Sequence, residues 1–220
     1  MKKIVKIIPK PIKSILRPLY YRYKYKSRDA LFQYWRQPKD ECNAPELYVS
    51  PIERSQFLLK FIEKYADSQA RILEIGCNVG RNLNYLFNAG YKKLGGVEIS
   101  KEAIDLMKKT YPEMAEQIEI WNSPIEDVIV NFKGNSFDLI FTMAVLEHIH
   151  PDSKFIFSEM VRITKKYLIT IEDERGISWR HFPRNYKKIF EPLGMKQVEQ
   201  FNCREIKDFG SHCWVRVFIK

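Results

Sequence analysis

Glu74, Gly76 and Gly80 form the most chemically suggestive group in the sequence, because they stand on and just after a short apolar run, Arg71-Ile-Leu-Glu-Ile75. Gly76 permits a turn that residues with a Cβ resist, and Gly80 lets the element that follows approach closely. The spacing is Gly-x-x-x-Gly, not the Gly-x-Gly-x-x-Gly that seats a pyrophosphate at a helix N-terminus. An acid ahead of the glycines suits a cationic or amino-bearing ligand better than a phosphate. Glu98 lies 18 residues beyond Gly80, at the end of a second apolar run, Leu94-Gly-Gly-Val-Glu98. A carboxylate in that place can accept hydrogen bonds from both hydroxyls of a ribose. His148 is the candidate proton acceptor, since an imidazole titrates near neutral pH. Glu147 and His150 are weaker candidates beside it.

These residues need a scaffold, and the pattern supplies one. Phe57, Leu58, Phe61, Ile62 and Tyr65 recur at helical spacing ahead of the first apolar run. A helix carrying Leu83, Leu86 and Phe87 follows the glycine loop and stops at Gly90, a residue suited to the left-handed C′ position. Ser100 reads as the N-cap of a helix bearing Ile104 and Met107. Strands are expected near 118–121, 137–142 and 167–171, with a helix over 153–163 between the last two. A short helix around 186–190 is expected, and Gly194 separates it from strands near 196–202 and 212–219. Alternating strands and helices predict an α/β fold whose mostly parallel sheet is covered on both faces by right-handed crossovers. The last two strands lack a helix between them and are expected to form an antiparallel hairpin. Residues 172–183 are polar and aromatic and placed to act as a substrate lid, with Arg180 and His181 as candidate substrate contacts.

The formal charge of +10 is local. Residues 1–28 hold ten Lys/Arg and no acid, which leaves 27 basic and 27 acidic residues over 29–220. We divide the chain accordingly into a basic, aromatic arm and connection, residues 1–45, and a ligand-binding body, residues 46–220. The arm mixes cations with Ile, Leu and Tyr and suits peripheral contact with an anionic membrane surface. A neutral body disfavours nucleic acid as the partner, although the arm could track phosphates. Cys42, Cys77, Cys203 and Cys213 show no paired spacing, so a reduced, cytoplasmic setting is expected, with the arm allowing a peripheral place at the inner membrane face. The four histidines form no HxxxH pair, and no dedicated protein-bound metal site is expected. No apolar stretch approaches the roughly 20 residues that span a bilayer.

Three segments together resemble the successive motifs of class I S-adenosylmethionine-dependent methyltransferases. They are Ile72-Leu-Glu-Ile-Gly-Cys-Asn-Val-Gly-Arg-Asn-Leu83, Gly96-Val-Glu-Ile-Ser100 and Phe137-Asp-Leu-Ile-Phe-Thr-Met-Ala-Val-Leu-Glu-His-Ile149. The resemblance covers roughly residues 50–200. It implies a Rossmann-like, doubly wound, mostly parallel seven-stranded sheet with an antiparallel C-terminal hairpin. It implies that Glu74, Gly76 and Gly80 surround the methionine part of S-adenosylmethionine, with Cys77, Asn78 and Asn82 also among the cofactor-binding residues. It further implies that Glu98 binds the ribose and that Ile99 packs on the adenine. Ser123 or backbone near Ile125 would meet the adenine edge, in a segment, Asn122-Ser-Pro-Ile-Glu126, that matches the family only loosely. Thr142 and Met143 would line the methyl-transfer pocket. The acceptor expected is a small molecule or a lipid- or glycan-linked group, methylated on oxygen or nitrogen. An RNA methyltransferase and a non-catalytic cofactor-binding partner are the alternative readings. Thr142-Met-Ala-Val145 stands where enzymes that methylate amino groups of DNA bases or protein glutamine carry (Asp/Asn)-Pro-Pro-(Tyr/Phe), which argues against that branch.

Overall fold

The computed structural model describes residues 25–38, 42–207 and 209–220. Most of the basic arm, and with it the expected membrane contact, lies outside the described residues. Seven strands form one sheet: β1 (Ile72–Ile75), β2 (Leu94–Glu98), β3 (Glu119–Asn122), β4 (Phe137–Met143), β5 (Thr164–Asp173), β6 (Lys196–Asn202) and β7 (Cys213–Ile219). Their order is β3-β2-β1-β4-β5-β7-β6, parallel from β3 through β5 and antiparallel at β7 and β6. The fold is the expected Rossmann-like α/β sheet. All four residues of β1 are buried, as a strand in the middle of a parallel sheet requires.

Strand side chains alternate between two cores. Ile72, Phe141, Ile169 and Val217 pack with α2 (Ile52–Tyr65) and α3 (Arg81–Asn88) on one face. Leu73, Ile140, Leu168 and Phe218 pack with α7 (Phe155–Ile163) and α8 (Tyr186–Phe190) on the other. Each wholly buried Leu, Ile or Phe of these layers contributes about 1.5–3 kcal/mol through burial. The remaining helices are α1 (Arg28–Arg36), α4 (Lys101–Thr110), α5 (Pro112–Gln117) and α6 (Ile125–Val128). Ser100 caps α4 as expected, its hydroxyl accepting from Ala103 N at 3.3 Å.

The bounds of β5 differ most from those the sequence predicts. β5 begins at Thr164, directly after α7, and runs to Asp173. The exposed pair Lys165 and Lys166 hides its start, and the acids Glu172 and Asp173 disguise its end as loop. Glu172 pairs across the sheet with Trp214 and is wholly buried, so the lid begins at Glu174 and not at residue 172. The C-terminal hairpin forms, with β7 between β5 and β6.

The chain leaves β1 for β2 on one side, and β4 lies on the other. Strand order therefore reverses between β1 and β4, and the crevice beyond their carboxyl ends is where such sheets bind ligands. Everything of chemical interest converges there.

Candidate active site

The turn after β1 is built from left-handed backbone. Gly76 has φ +75°, Asn78 φ 47° and Gly80 φ 70°. Gly76 N and Cys77 N both donate to Val97 O, tying the turn to β2. A Cβ on Gly76 would collide with both methyls of Val145, on top of the strain of a left-handed alanine. Gly76→Ala is expected to cost about 2–4 kcal/mol of stability, read as a shift in the denaturant midpoint.

Beneath this turn, Asn82 Nδ2 donates to Glu74 Oε1 at 2.8 Å. Ser55 Oγ in turn donates to Asn82 Oδ1 at 2.7 Å and accepts from Arg81 Nε at 2.9 Å. Arg81 reaches on to the Tyr48 carbonyl at 2.9 Å. Glu74 Oε2 is buried without a partner, and Glu74 lines the crevice. Burial pushes its carboxyl up to about 8, against the opposing effects of Asn82 and Arg81. Such a group is completed by an amino-bearing ligand.

Glu98 is also buried, and each of its oxygens holds one backbone N–H. Oε2 accepts from Asn78 N at 2.8 Å and Oε1 from Ser100 N at 2.7 Å. Each oxygen keeps a second lone-pair direction for a ligand. Ile99, Ile125 and Ser123 line the same wall, joined by the buried acid Glu126, whose carboxyl burial also pushes up. The site thus offers an acid with one unpartnered oxygen, a second acid with spare acceptor capacity and an apolar slot with polar edges.

This donor set fits a ligand combining an amino group, a ribose and a flat base. A family profile described as "Methyltransferase domain" matches residues 73–169, the span that holds β1, β2, β4 and the turn. The chain carries a methyltransferase domain, and its fold is that of the class I S-adenosylmethionine-dependent methyltransferases. The methyltransferase is 24% identical over 162 residues to a ubiquinone biosynthesis O-methyltransferase of Actinobacillus pleuropneumoniae, covering 63% of this chain and 68% of that protein. Its fold is similar to that of magnesium protoporphyrin IX methyltransferase from Synechocystis, a structure with S-adenosylmethionine bound. The TM-score is 0.64 at 14% identity, over 94% of this chain and 96% of the other. An S-adenosylmethionine-dependent methyltransferase from Archaeoglobus fulgidus gives a TM-score of 0.62 at 16% identity, over 88% and 100% of the two chains.

Of the residues singled out in the sequence, Glu74, Gly76, Cys77, Asn78, Asn82, Glu98, Ile99, Ser123, Ile125, Met143 and His148 line the methyltransferase's crevice. Gly80 stands behind it as the left-handed residue that opens α3. Thr142 does not line it. Its hydroxyl turns away and donates to the buried Glu172 Oε1 at 2.7 Å. Arg180 and His181 are not on the crevice wall either. The Arg180 guanidinium lies over the Tyr34 and Trp35 rings, each 5.4 Å from the centroid, and His181 packs behind His148 with ring centroids 4.5 Å apart.

The sequence reading missed the roof. Leu31, Phe32 and Trp35 of α1, with Pro38 and Asn43 beyond it, line the crevice although they precede the body as divided at residue 45. Trp35 tilts against His148 with centroids 4.6 Å apart. The i, i+4 pair Leu31 and Trp35 is the one available signal for a buried face in that segment.

One end of the crevice is a corner made by the turn after β4. Ala144 has φ 55°, and the following 3-10 turn, Leu146–His148, aims its side chains under the lid. His148 Nδ1 faces the Arg180 carbonyl at 2.8 Å. A carbonyl only accepts, so Nδ1 carries the proton and Nε2 presents a bare lone pair. Nε2 stands 3.6 Å from Glu147 Oε1, and His181 Nε2 stands 3.7 Å from the same oxygen. Burial, with His181 and the arginines nearby, pushes His148 down to about 3. The imidazole is therefore neutral throughout the physiological range and a weaker base than its residue type suggests.

Proposed function

We propose that the enzyme transfers the methyl group of S-adenosylmethionine to an oxygen of a ring-bearing small molecule held beneath α1. The carrying observation is that Phe32 and Trp35 line the same crevice as His148 and Met143, with Trp35 packed against His148. Such a lining takes a flat molecule edge-on and leaves little way in for a polymer. Two findings agree with it: the relative named for O-methylation in ubiquinone biosynthesis, and the fold neighbour named for a protoporphyrin. Lipid- or glycan-linked acceptors share the same chemistry if only their head enters. The arm's contact with a membrane would favour them, and that contact rests on the charge of residues 1–28 alone.

In this reading Glu74 Oε2 would receive the cofactor's amino group, with Gly76, Cys77, Asn78, Gly80 and Asn82 shaping the methionine end. Glu98 would hold the ribose, Ile99 and Ile125 would flank the adenine, and Ser123 with Glu126 would meet its edge. When bound, the cofactor's sulfonium supplies an already activated methyl group. The protein's own task is then to align the acceptor and exclude water. Met143 and Trp35 bound the acceptor's place, and His148 is the side chain that turns toward it. With its depressed basicity His148 orients an acceptor hydroxyl and does not by itself strip the proton at neutral pH.

Incubation of the protein and cofactor with a metabolite extract is expected to add one methyl group to a ring-bearing hydroxyl compound, detected by mass. Cofactor binding with no product from any extract would instead support the non-catalytic reading. Trp35→Ala is expected to raise the acceptor KM about tenfold, the worth of one well-placed aromatic contact. Cofactor affinity in that variant should stay within about twofold, since Trp35 meets the acceptor side. A matching loss of both would place Trp35 on the cofactor.

A further inference from the structure

We propose that Glu147, His148 and His181 form a binding site for a first-row divalent cation of the zinc, manganese or iron(II) class. One ligand atom from each lies within 4.8 Å of the others. Two imidazoles and a carboxylate are a donor set these ions share, and three protein ligands leave positions open for a substrate oxygen. The 3.6 and 3.7 Å separations exceed those around a bound ion with bonds near 2.1 Å by only a few tenths of an ångström. His181 sits on the lid after β5, a segment able to close that gap.

Each donor is also oriented by a second contact, as ligands in metal sites are. His148 Nδ1 is fixed by the Arg180 carbonyl. His181 Nδ1 is held by Ser178 Oγ at 2.6 Å, and that hydroxyl also accepts from Arg180 N at 3.2 Å. Glu147 Oε2 accepts from Asp173 N, which leaves Oε1 to face the histidines. Behind the trio, Glu172 accepts from Val145 N at 3.0 Å and Glu147 N at 3.3 Å. Glu172 and Asp173 are further acids beside the trio. Arg180 and Arg184 oppose them from the lid, but Arg184 spends its donors on the Leu146 and Ile149 carbonyls.

No spacing along the chain signals this arrangement. His181 is 33 residues from His148, and only the return of the chain along β5 brings the two together. The cation's use is a deepening of the proposed function and rests on that reading. An acceptor hydroxyl on the ion would lose its proton to solvent more readily, and its oxygen would take the methyl carbon as the carbon–sulfur bond of the sulfonium breaks and leaves a neutral thioether. Binding of the ion does not depend on that reading.

The test uses the full chain, stripped with chelator and titrated with Co²⁺ or Zn²⁺ alone, with S-adenosylmethionine affinity measured separately on the metal-free protein. One equivalent should bind with a Kd below about 10 µM. The cobalt spectrum should lack thiolate charge-transfer, which separates this site from the buried neighbours Cys203 and Cys213. His181→Asn should weaken binding at least about 100-fold, and Ser178→Ala about tenfold, while the exposed His212→Asn leaves it unchanged. Wild-type binding no tighter than about 1 mM would overturn the proposal, whatever the variants do. So would binding indifferent to His181→Asn, or a thiolate spectrum. Failure of the metal-free protein to bind S-adenosylmethionine would fault the cofactor reading and leave the cation site standing.

Discussion

Glu98→Ala is expected to weaken S-adenosylmethionine binding by about 100- to 1,000-fold, measured by calorimetry on the purified chain. The carboxylate has four acceptor directions, and the protein uses one on each oxygen, for Asn78 N and Ser100 N. The other two would receive both hydroxyls of the ribose in the proposed reading. Hydrogen bonds to a charged group are worth about 1.5–3 kcal/mol each, so losing two accounts for the predicted range. The substitution also strips the partner from two N–H groups, one in the turn after β1 and one at the start of α4. A lowered melting temperature in the ligand-free protein is therefore part of the expectation. Glu98→Gln keeps one acceptor oxygen and should fall between, near tenfold. If Glu98→Ala bound within about threefold of wild type, the ribose would have to lie elsewhere.

The part of this site that lay open to sequence reading is the part made by consecutive residues. Ile72–Ile75 and Leu94–Glu98 are short, wholly buried strands, and burial on both faces writes a continuous apolar run that needs no partner to be recognised. Each acid and glycine that matters sits on such a strand or just past it, so position along the chain was a fair guide to position in the crevice. Contacts made across the fold left no such trace. Arg81, Ser55 and Asn82 form one hydrogen-bonded group, yet Ser55 lies 26 residues before Arg81 on a different helix. The place of Thr142 at the end of β4 predicts a side chain facing the pocket. It faces Glu172 instead, an acid whose burial was masked by the charged residues after it. Trp35 belongs to a segment with no motif, and nothing in its spacing announces that α1 closes the crevice. Periodicity tells which residues share a face, but not which neighbour that face will meet.

Glu74→Gln is expected to act with opposite signs on the ligand-free protein and on its complex. In the ligand-free state the buried carboxyl titrates near 8, well above its ordinary 4.5. The folded state then binds more protons than the unfolded state between those values, so this group's contribution is fully present below about pH 4.5 and is lost as pH rises through 8. An uncharged amide escapes that loss. Above pH 8 the ligand-free variant should therefore be more stable than wild type, by about 1–3 kcal/mol after relaxation around the site. Binding runs the other way. An ammonium group pairs with the carboxylate, so at pH 7 the wild type must release a proton as the cofactor binds. Affinity should climb toward a plateau above pH 8, by up to about tenfold per pH unit. Calorimetry in buffers of different ionisation enthalpy would count that proton directly. In Glu74→Gln the proton release should vanish, with affinity at pH 8 lower by about 100-fold, the cost of exchanging a charged partner for a neutral one. Proton release that survives the substitution would mean another group, such as Glu126, titrates with the cofactor, and the amino group would not lie at Glu74.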